Sequence, residues 1–374
     1  MKIIRTLVFV TFAVLGTQAA EGQQAAALTD ALDGADTVVL LKEGKEVFGK
    51  QAFRSEHGRL IYLFSSAATK AEFDRAPEKY AVQMGGLCAR MGKTVTGNPS
   101  DYLVHEGKIY LFGSDACHKA FAAAPEKYLP KPAAPMPSDP AAAARGKALL
   151  EKAVASVGGA KLDALTTYVE SSSELQKRPT GEVTIEVRKM WQFPAGARQD
   201  RTVPMADGQK RAFGTLLTGS GAFSIGGAQV TAVIPEAVPS VQQDLWRQIV
   251  PLLRARREPG VVVAALGPTA IDGAQVERVR VRHAGLDVTL NLDPQSGRVH
   301  STSFIDRGPG GQYGEITLVY SDFKNVEGLT LPYSERGFFN GAAEPSLSRS
   351  IDTISINPPL DAALFTPNTP TGGR

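Results

Sequence analysis

The apolar positions of this chain change period once, and the change divides it. Up to about residue 128, short apolar runs lead into polar stretches compatible with a helix. From about Thr166 onward, apolar and polar residues alternate as in strands. In the first part the segment GRLIYLFSSAATKAEFDRAPEKY (58–80) recurs as KIYLFGSDACHKAFAAAPEKY (108–128). From Ile61 the match is gapless at an offset of 48, pairing Phe64 with Phe112, Phe73 with Phe121 and Tyr80 with Tyr128. Each copy predicts a strand, a helix capped by Ser65 or Ser66 (Ser114 or Asp115 in the second), and a closing Ala-Pro-Glu-Lys-Tyr. Phe73 and Phe121 would fold back onto their own strands, and two such short units must stack to make a core.

LPKPAAPMPSDPAAAA (129–144) holds five prolines and reads as a semi-rigid linker that lets the two parts move semi-independently. ARGKALLEKAVASVGG predicts a helix that stops at Gly158-Gly159. GEVTIEVRKMWQF alternates as a strand, Asp293–Gly297 and Asn325–Gly328 read as hairpin turns, and TGSGAFSIGG (218–227) as another turn. SVQQDLWRQIVPLLRARR is one amphipathic helix, with a kink expected at Pro251. The fold class is therefore α+β. A small tandem strand-helix module is followed by an antiparallel β half-barrel wrapped on a helix.

Charge and composition narrow the function. MKIIRTLVFVTFAVLGTQAA has the basic, apolar and small-residue regions of a signal peptide, with cleavage expected after Ala19 or Ala20. Loss of Lys2 and Arg5 takes 41 basic residues to 39 against 38 acidic ones, which argues against a nucleic-acid partner. No later segment is long and apolar enough to span a bilayer. The expected divisions are a signal peptide (1–20), a lead-in (21–37), the tandem module (38–130), a linker (131–144), the half-barrel (145–367) and a tail (368–374). The expected location is the periplasm or the exterior.

The chain carries no Gly-x-Ser-x-Gly elbow, His-Glu-x-x-His, Walker loop or Gly-x-Gly-x-x-Gly, so catalysis is not expected. A soft-ligand set lies in the second repeat and its approach: Met84, Cys88, Met91, His105, Cys117 and His118. Thiolate, thioether and imidazole suit copper or another soft metal. Cys117 would sit at a helix start, where the dipole favours its thiolate. In an oxidising compartment Cys88 and Cys117 could equally pair as a disulfide, and that alternative stays open. His57 stands before the corresponding Gly58 and reports the duplication, while His283 and His300 belong to strands of the second part and show no partner pattern. Trp191, Leu245, Trp246, Ile249 and Leu253 are the candidate lining of an apolar cavity between sheet and helix.

Residues 38–130 resemble the YHS family, through EGKEVFGKQAF, GRLIYLFSSAATKAEFDRAPEKYAVQMGGLCA and DYLVHEGKIYLF. The resemblance implies a metal-linked module in which Cys88 and Cys117 fall near the first and last of three cysteine positions. Gly113 stands where the middle cysteine would be. Residues 142–367 resemble the LolA/LppX-like lipoprotein carriers, through LDPQSGRV, YSDFKNVEGLTLPYSER and ISINPPLDAALF. That resemblance implies a sheet that receives acyl chains against its helix. The reading is an exported, non-catalytic binding protein for a lipid or other apolar molecule, with a module for a soft metal or a protein partner of the cell envelope. The alternatives are a periplasmic copper-handling protein with the half-barrel as scaffold and, further off, an enzyme centred on the Cys/His cluster.

Overall fold

A computed structural model describes residues 28–92, 95–178, 181–205, 207–227 and 229–367. The expected signal peptide, the first part of the lead-in and the tail 368–374 lie outside these residues.

The duplication is built as the sequence suggests. Lys50–His57 pairs with Leu60–Phe64, and Asn98–His105 with Lys108–Phe112. Ser66 and Ser114 cap the helices Ala67–Arg75 and Asp115–Ala123, accepting from the backbone N–H of Thr69 and Cys117. Phe73 lies 4.7 Å from the ring of Tyr62 and 5.0 Å from that of Phe64; Phe121 lies 5.2 Å from both Tyr110 and Phe112. The copies stack because Ile109 and Leu111 of the second enter the core of the first. That core also takes in residues ahead of position 38. Thr29–Asp30 runs parallel to Leu60–Ile61, and Ala31, Leu32 and Ala35 are buried.

The rest is an antiparallel sheet of fourteen strands, which with its helices makes the molecule mixed α+β. One half runs outward from Thr167–Arg178 through Gly181–Gln192, Gly196–Pro204, Lys210–Thr218 and Gly221–Gly226 to an edge at Gln229–Ala232. The other starts at the opposite edge, Val262–Ile271, and returns through Ala274–His283, Leu286–Leu292, Val299–Arg307 and Tyr313–Val326 to Leu329–Phe339. Arg349–Ile356 joins the halves. The turns expected at Asp293–Gly297 and Asn325–Gly328 fall there, but of 218–227 only Gly219-Ser220 and Gly227 turn, and Gly221–Gly226 is a strand paired with Lys210–Thr218.

The sheet wraps its helices. Trp191, Leu217 and Ala222 of one half share a single buried cluster with Val263, Val281 and Leu290 of the other. Between them lie Leu150 and Val154 of the helix Pro140–Val157, and Leu245, Ile249 and Leu253. This helix starts inside the expected linker. Asp139 accepts from Ala141 N–H, and Pro140 takes the first helical position, where a missing N–H costs nothing.

The second helical segment departs from expectation. It is two helices, Val238–Trp246 and Ile249–Arg254, broken at Gln248 (ψ 152°) and not at Pro251. A proline ring clashes with the carbonyl four residues earlier, here Arg247. The chain avoids the clash by restarting the helix, which places Pro251 in a first turn.

Candidate functional site

The space beneath the helices is filled. Trp191, Leu245, Ile249 and Leu253 are all buried, and the Trp191 indole N–H donates to Leu245 O at 3.1 Å. Trp246 is half-buried, its ring 6.2 Å from that of Phe193. The five residues expected to line a cavity form core instead, because three helical segments occupy the concave face where the sequence suggested one.

That face also carries a buried polar centre. Arg349 donates to Glu170 (2.5 Å), to both oxygens of Glu335 (2.5 and 2.6 Å) and to Gln248 (2.7 Å). Tyr168 donates to Glu170 at 3.2 Å, and the Tyr320 and Thr302 hydroxyls meet at 2.8 Å. Lys189 lies across the ladder from Glu170. Burial, seconded by the nearby Arg349 charge, pulls its ammonium down to about 8. These side chains knit the two halves of the sheet together at Arg349–Ile356.

A cavity of about 770 Å³ lies elsewhere. The N-terminal module contributes Met84 and Leu87, and the linker Pro130 to Ala134. Further wall comes from Ala237 to Arg247, and the floor from four strands between Ala274 and Val326. Val279 and Val281 point into the helix-filled core, so Arg278, Arg280 and Arg282 point to the opposite, outer face. Arg280 and Arg282 both bind Asp287, at 2.6, 2.7 and 2.8 Å. Burial opposes ionisation of Asp287, but the hydrogen bonds from Arg280 and Arg282 outweigh it and hold its carboxyl below the usual range. Arg247 bridges Asp306 at 2.8 Å and lies over the Phe304 ring at 3.9 Å. Leu87, Leu266 and the half-exposed Ile305 give the cleft its apolar surface.

The linker does not swing free, contrary to expectation. Arg280 donates to Pro135 O at 3.4 Å and Arg282 to Ala134 O. Arg307 goes further: it donates to Arg90 O at 2.5 Å, Ala89 O at 3.0 Å and Gly311 O at 2.9 Å. Arg90 returns a bond to Gly310 O at 3.1 Å. The module is thus clamped onto the sheet.

The six soft-ligand candidates are divided. Cys88 and Cys117 are free, buried thiols in one cluster with Phe112 and Phe121, and Met84 packs against it. The Met84 sulfur faces Arg307 at 3.8 Å, and Met91 is exposed. His118 stacks on Phe112 at 4.6 Å, with Nδ1 on Asp101 at 2.5 Å, while His105 meets Phe121 edge-on at 6.0 Å. Among the described residues no three His, Cys, Asp or Glu side chains are grouped to hold a metal ion. The imidazoles expected in a metal centre are taken up by a carboxylate and by aromatic packing.

Sequence reasoning missed the cleft and the Arg349 centre. The first had a visible signal: Arg278, Arg280 and Arg282 alternate with core valines in ERVRVRH. The second had none, since its members lie on six strands spread along the chain and on Gln248 between two helices.

No family model matches this chain, and no curated protein does. Among solved structures it is similar to a domain named for outer membrane lipoprotein sorting from Vibrio parahaemolyticus. The two share 13% identity over 60% of this chain and 98% of that one, with a TM-score of 0.41. It is also similar to a LolA superfamily protein from Nitrosomonas europaea (15%, 59% and 97%, TM-score 0.39). A DUF1329 family protein from Desulfovibrio piger gives 10%, 59% and 97%, with a TM-score of 0.40. Superposition at this level leaves the reading of the site to the chain's own geometry.

Proposed function

We propose that this chain is an exported, non-catalytic binding protein that holds one small apolar or amphiphilic molecule. The seat is the cleft between its N-terminal module and the outer face of its sheet. The observation that carries the reading is the cleft itself. Its volume of about 770 Å³ falls in the range of about 300–1,000 Å³ usual for small-molecule sites. Its walls combine apolar side chains with a few fixed polar groups, as such sites do. The charged groups of the cleft, Arg247, Arg280, Asp287 and Asp306, are engaged with one another in ion pairs. The N-terminal module serves as a wall of the site, and its free face is available to a partner in the envelope.

The test is mass spectrometry of the natively purified protein under gentle and denaturing conditions. The expected outcome is an adduct of lipid-like mass that denaturation releases. Thr289 is half-buried on a strand of the cleft floor, so Thr289→Trp should fill the cleft and abolish the adduct with little change in melting temperature. An adduct that persists undiminished in a folded Thr289→Trp protein would remove the cleft as the seat.

A further inference from the structure

The outer face of the strand Ala274–His283 presents three guanidinium groups, those of Arg278, Arg280 and Arg282, and the single carboxylate Asp287 answers two of them. Arg280 and Arg282 divide Asp287 between them, and the side chain of Arg280 is only 13% exposed. Arg278 has no carboxylate partner among the described residues. It donates to the carbonyls of Gly267 (3.3 Å) and Leu266 (3.2 Å), which a bulge in the neighbouring strand presents to it.

The other acids of the cleft do not offset this charge. Asp306 is engaged by Arg247, and Glu236 lies against the turn at Gly85. Glu315 stands three strands away from Arg278, roughly 14 Å at ordinary strand spacing. Guanidinium groups do not deprotonate to relieve such a situation. Partly desolvated cations answered only by carbonyl oxygens are poorly compensated.

An anionic group entering the cleft would meet donors that neutral carbonyls now occupy, and charge-assisted bonds are the stronger kind. Beside this positive strip lie Leu87, Leu266 and the outward-facing Ile305, which is 51% exposed although large and apolar. A basic strip and an apolar wall in one cleft suit a molecule that has both characters.

We propose that the cleft takes a small anionic amphiphile, its charged head held by Arg278 and Arg280 and its aliphatic part lying along Leu266 and Ile305. The inference rests on the cleft being the ligand seat. The head is a carboxylate or a phosphate ester, the shared chemistry being one negative charge on an aliphatic chain.

The test is isothermal titration of the full mature chain with three probes: decanoate, a short-chain phosphatidylglycerol and uncharged decanol. One of the anionic probes should bind at least about tenfold more tightly than decanol, and raised salt should weaken it. Whichever anion binds better identifies the head as carboxylate or phosphate. Arg278→Gln should cost that probe about tenfold, and Arg278→Lys should recover much of the loss, while decanol responds to neither. Equal binding of decanol and the anions, unchanged in Arg278→Gln, would overturn the anionic head and leave the apolar cleft standing. Binding of none of the three by the unaltered protein would overturn the cleft as the seat, and the head with it.

Discussion

Lys189 is a residue whose chemistry its surroundings alter. It stands on the concave face near Glu170, Glu174, Glu335 and Arg349, and burial, aided by the Arg349 charge, outweighs the three carboxylates to bring its ammonium to about 8. In the unfolded chain it titrates near 10.5. Between those values the unfolded state binds a proton that the folded state does not, so this residue makes stability rise with pH over that window. Below about pH 8 both states are protonated, and the folded protein bears the full cost of a buried charge. Lys189→Met should therefore raise the urea midpoint at pH 7 and shrink its advantage as pH climbs from about 8 to about 10.5. The expected slope of the difference is of order 1.4 kcal/mol per pH unit. A difference between variant and parent that stays constant from pH 7 to 10 would show that the lysine reaches solvent. Arg349 behaves oppositely: burial opposes its charge, yet Glu170 and Glu335 hold it protonated well above the ordinary range.

At the scale of elements, the duplication runs deeper than its readable part. The sequence match shows strand, cap and helix from residue 58 onward, because aromatic and capping residues repeat in kind. Upstream the side chains diverge while the backbone does not. Gly49 and Gly97 precede strands with identical bulges, Lys50↔Phe64 stepping to Arg54↔Leu63, and Asn98↔Phe112 stepping to Tyr102↔Leu111. Both glycines donate to a glycine carbonyl of a preceding turn, Gly34 O at 2.8 Å and Gly86 O at 2.9 Å. A Cβ at Gly49 would lie 2.2 Å from the Leu63 carbonyl carbon, and one at Gly97 2.3 Å from Leu111 Cβ. Gly49→Ala and Gly97→Ala should therefore each destabilise the module by about 1–3 kcal/mol, read from thermal or urea melts. Two near-neutral results would show that the strand entry is slack. The same alignment explains what misled the reading of the cysteines. Cys88 occupies the place of Asp36, whose carboxylate caps Val38 and Val39 and accepts from Ser65 in the first copy. With Gly113 in the place of Ser65, the second copy has an apolar pocket there, and a sulfur fills it. Alternation made the sheet and its turns legible. It could not show that a third helix fills the concave face, since Pro140–Val157 reads as an independent amphipathic helix wherever it packs.

For the whole molecule, the site exists only because two modules are held together, and one side chain does most of the holding. Arg307 projects from the end of Val299–Arg307, with its guanidinium 4.5 Å from the Tyr313 ring and its donors on the carbonyls of Ala89, Arg90 and Gly311. None of these acceptors is replaced in kind if the arginine is cut back, and each buried acceptor left unpaired costs about 1–3 kcal/mol. The neighbouring Arg90 bond to Gly310 O and the linker contacts of Arg280 and Arg282 are exposed at least in part, and so worth less. Arg307→Ala should accordingly leave each module folded but release one from the other. Amide hydrogen exchange should rise across residues 84–92, the radius of gyration from small-angle scattering should grow, and ligand affinity should fall with the loss of a wall. Exchange confined to its original rate at 84–92, with an unchanged radius, would mean that packing of Met84 and Leu87 alone suffices to keep the cleft closed. If instead the modules part and the ligand still binds, the sheet's outer face carries the site unaided, and the N-terminal module is free for a separate task.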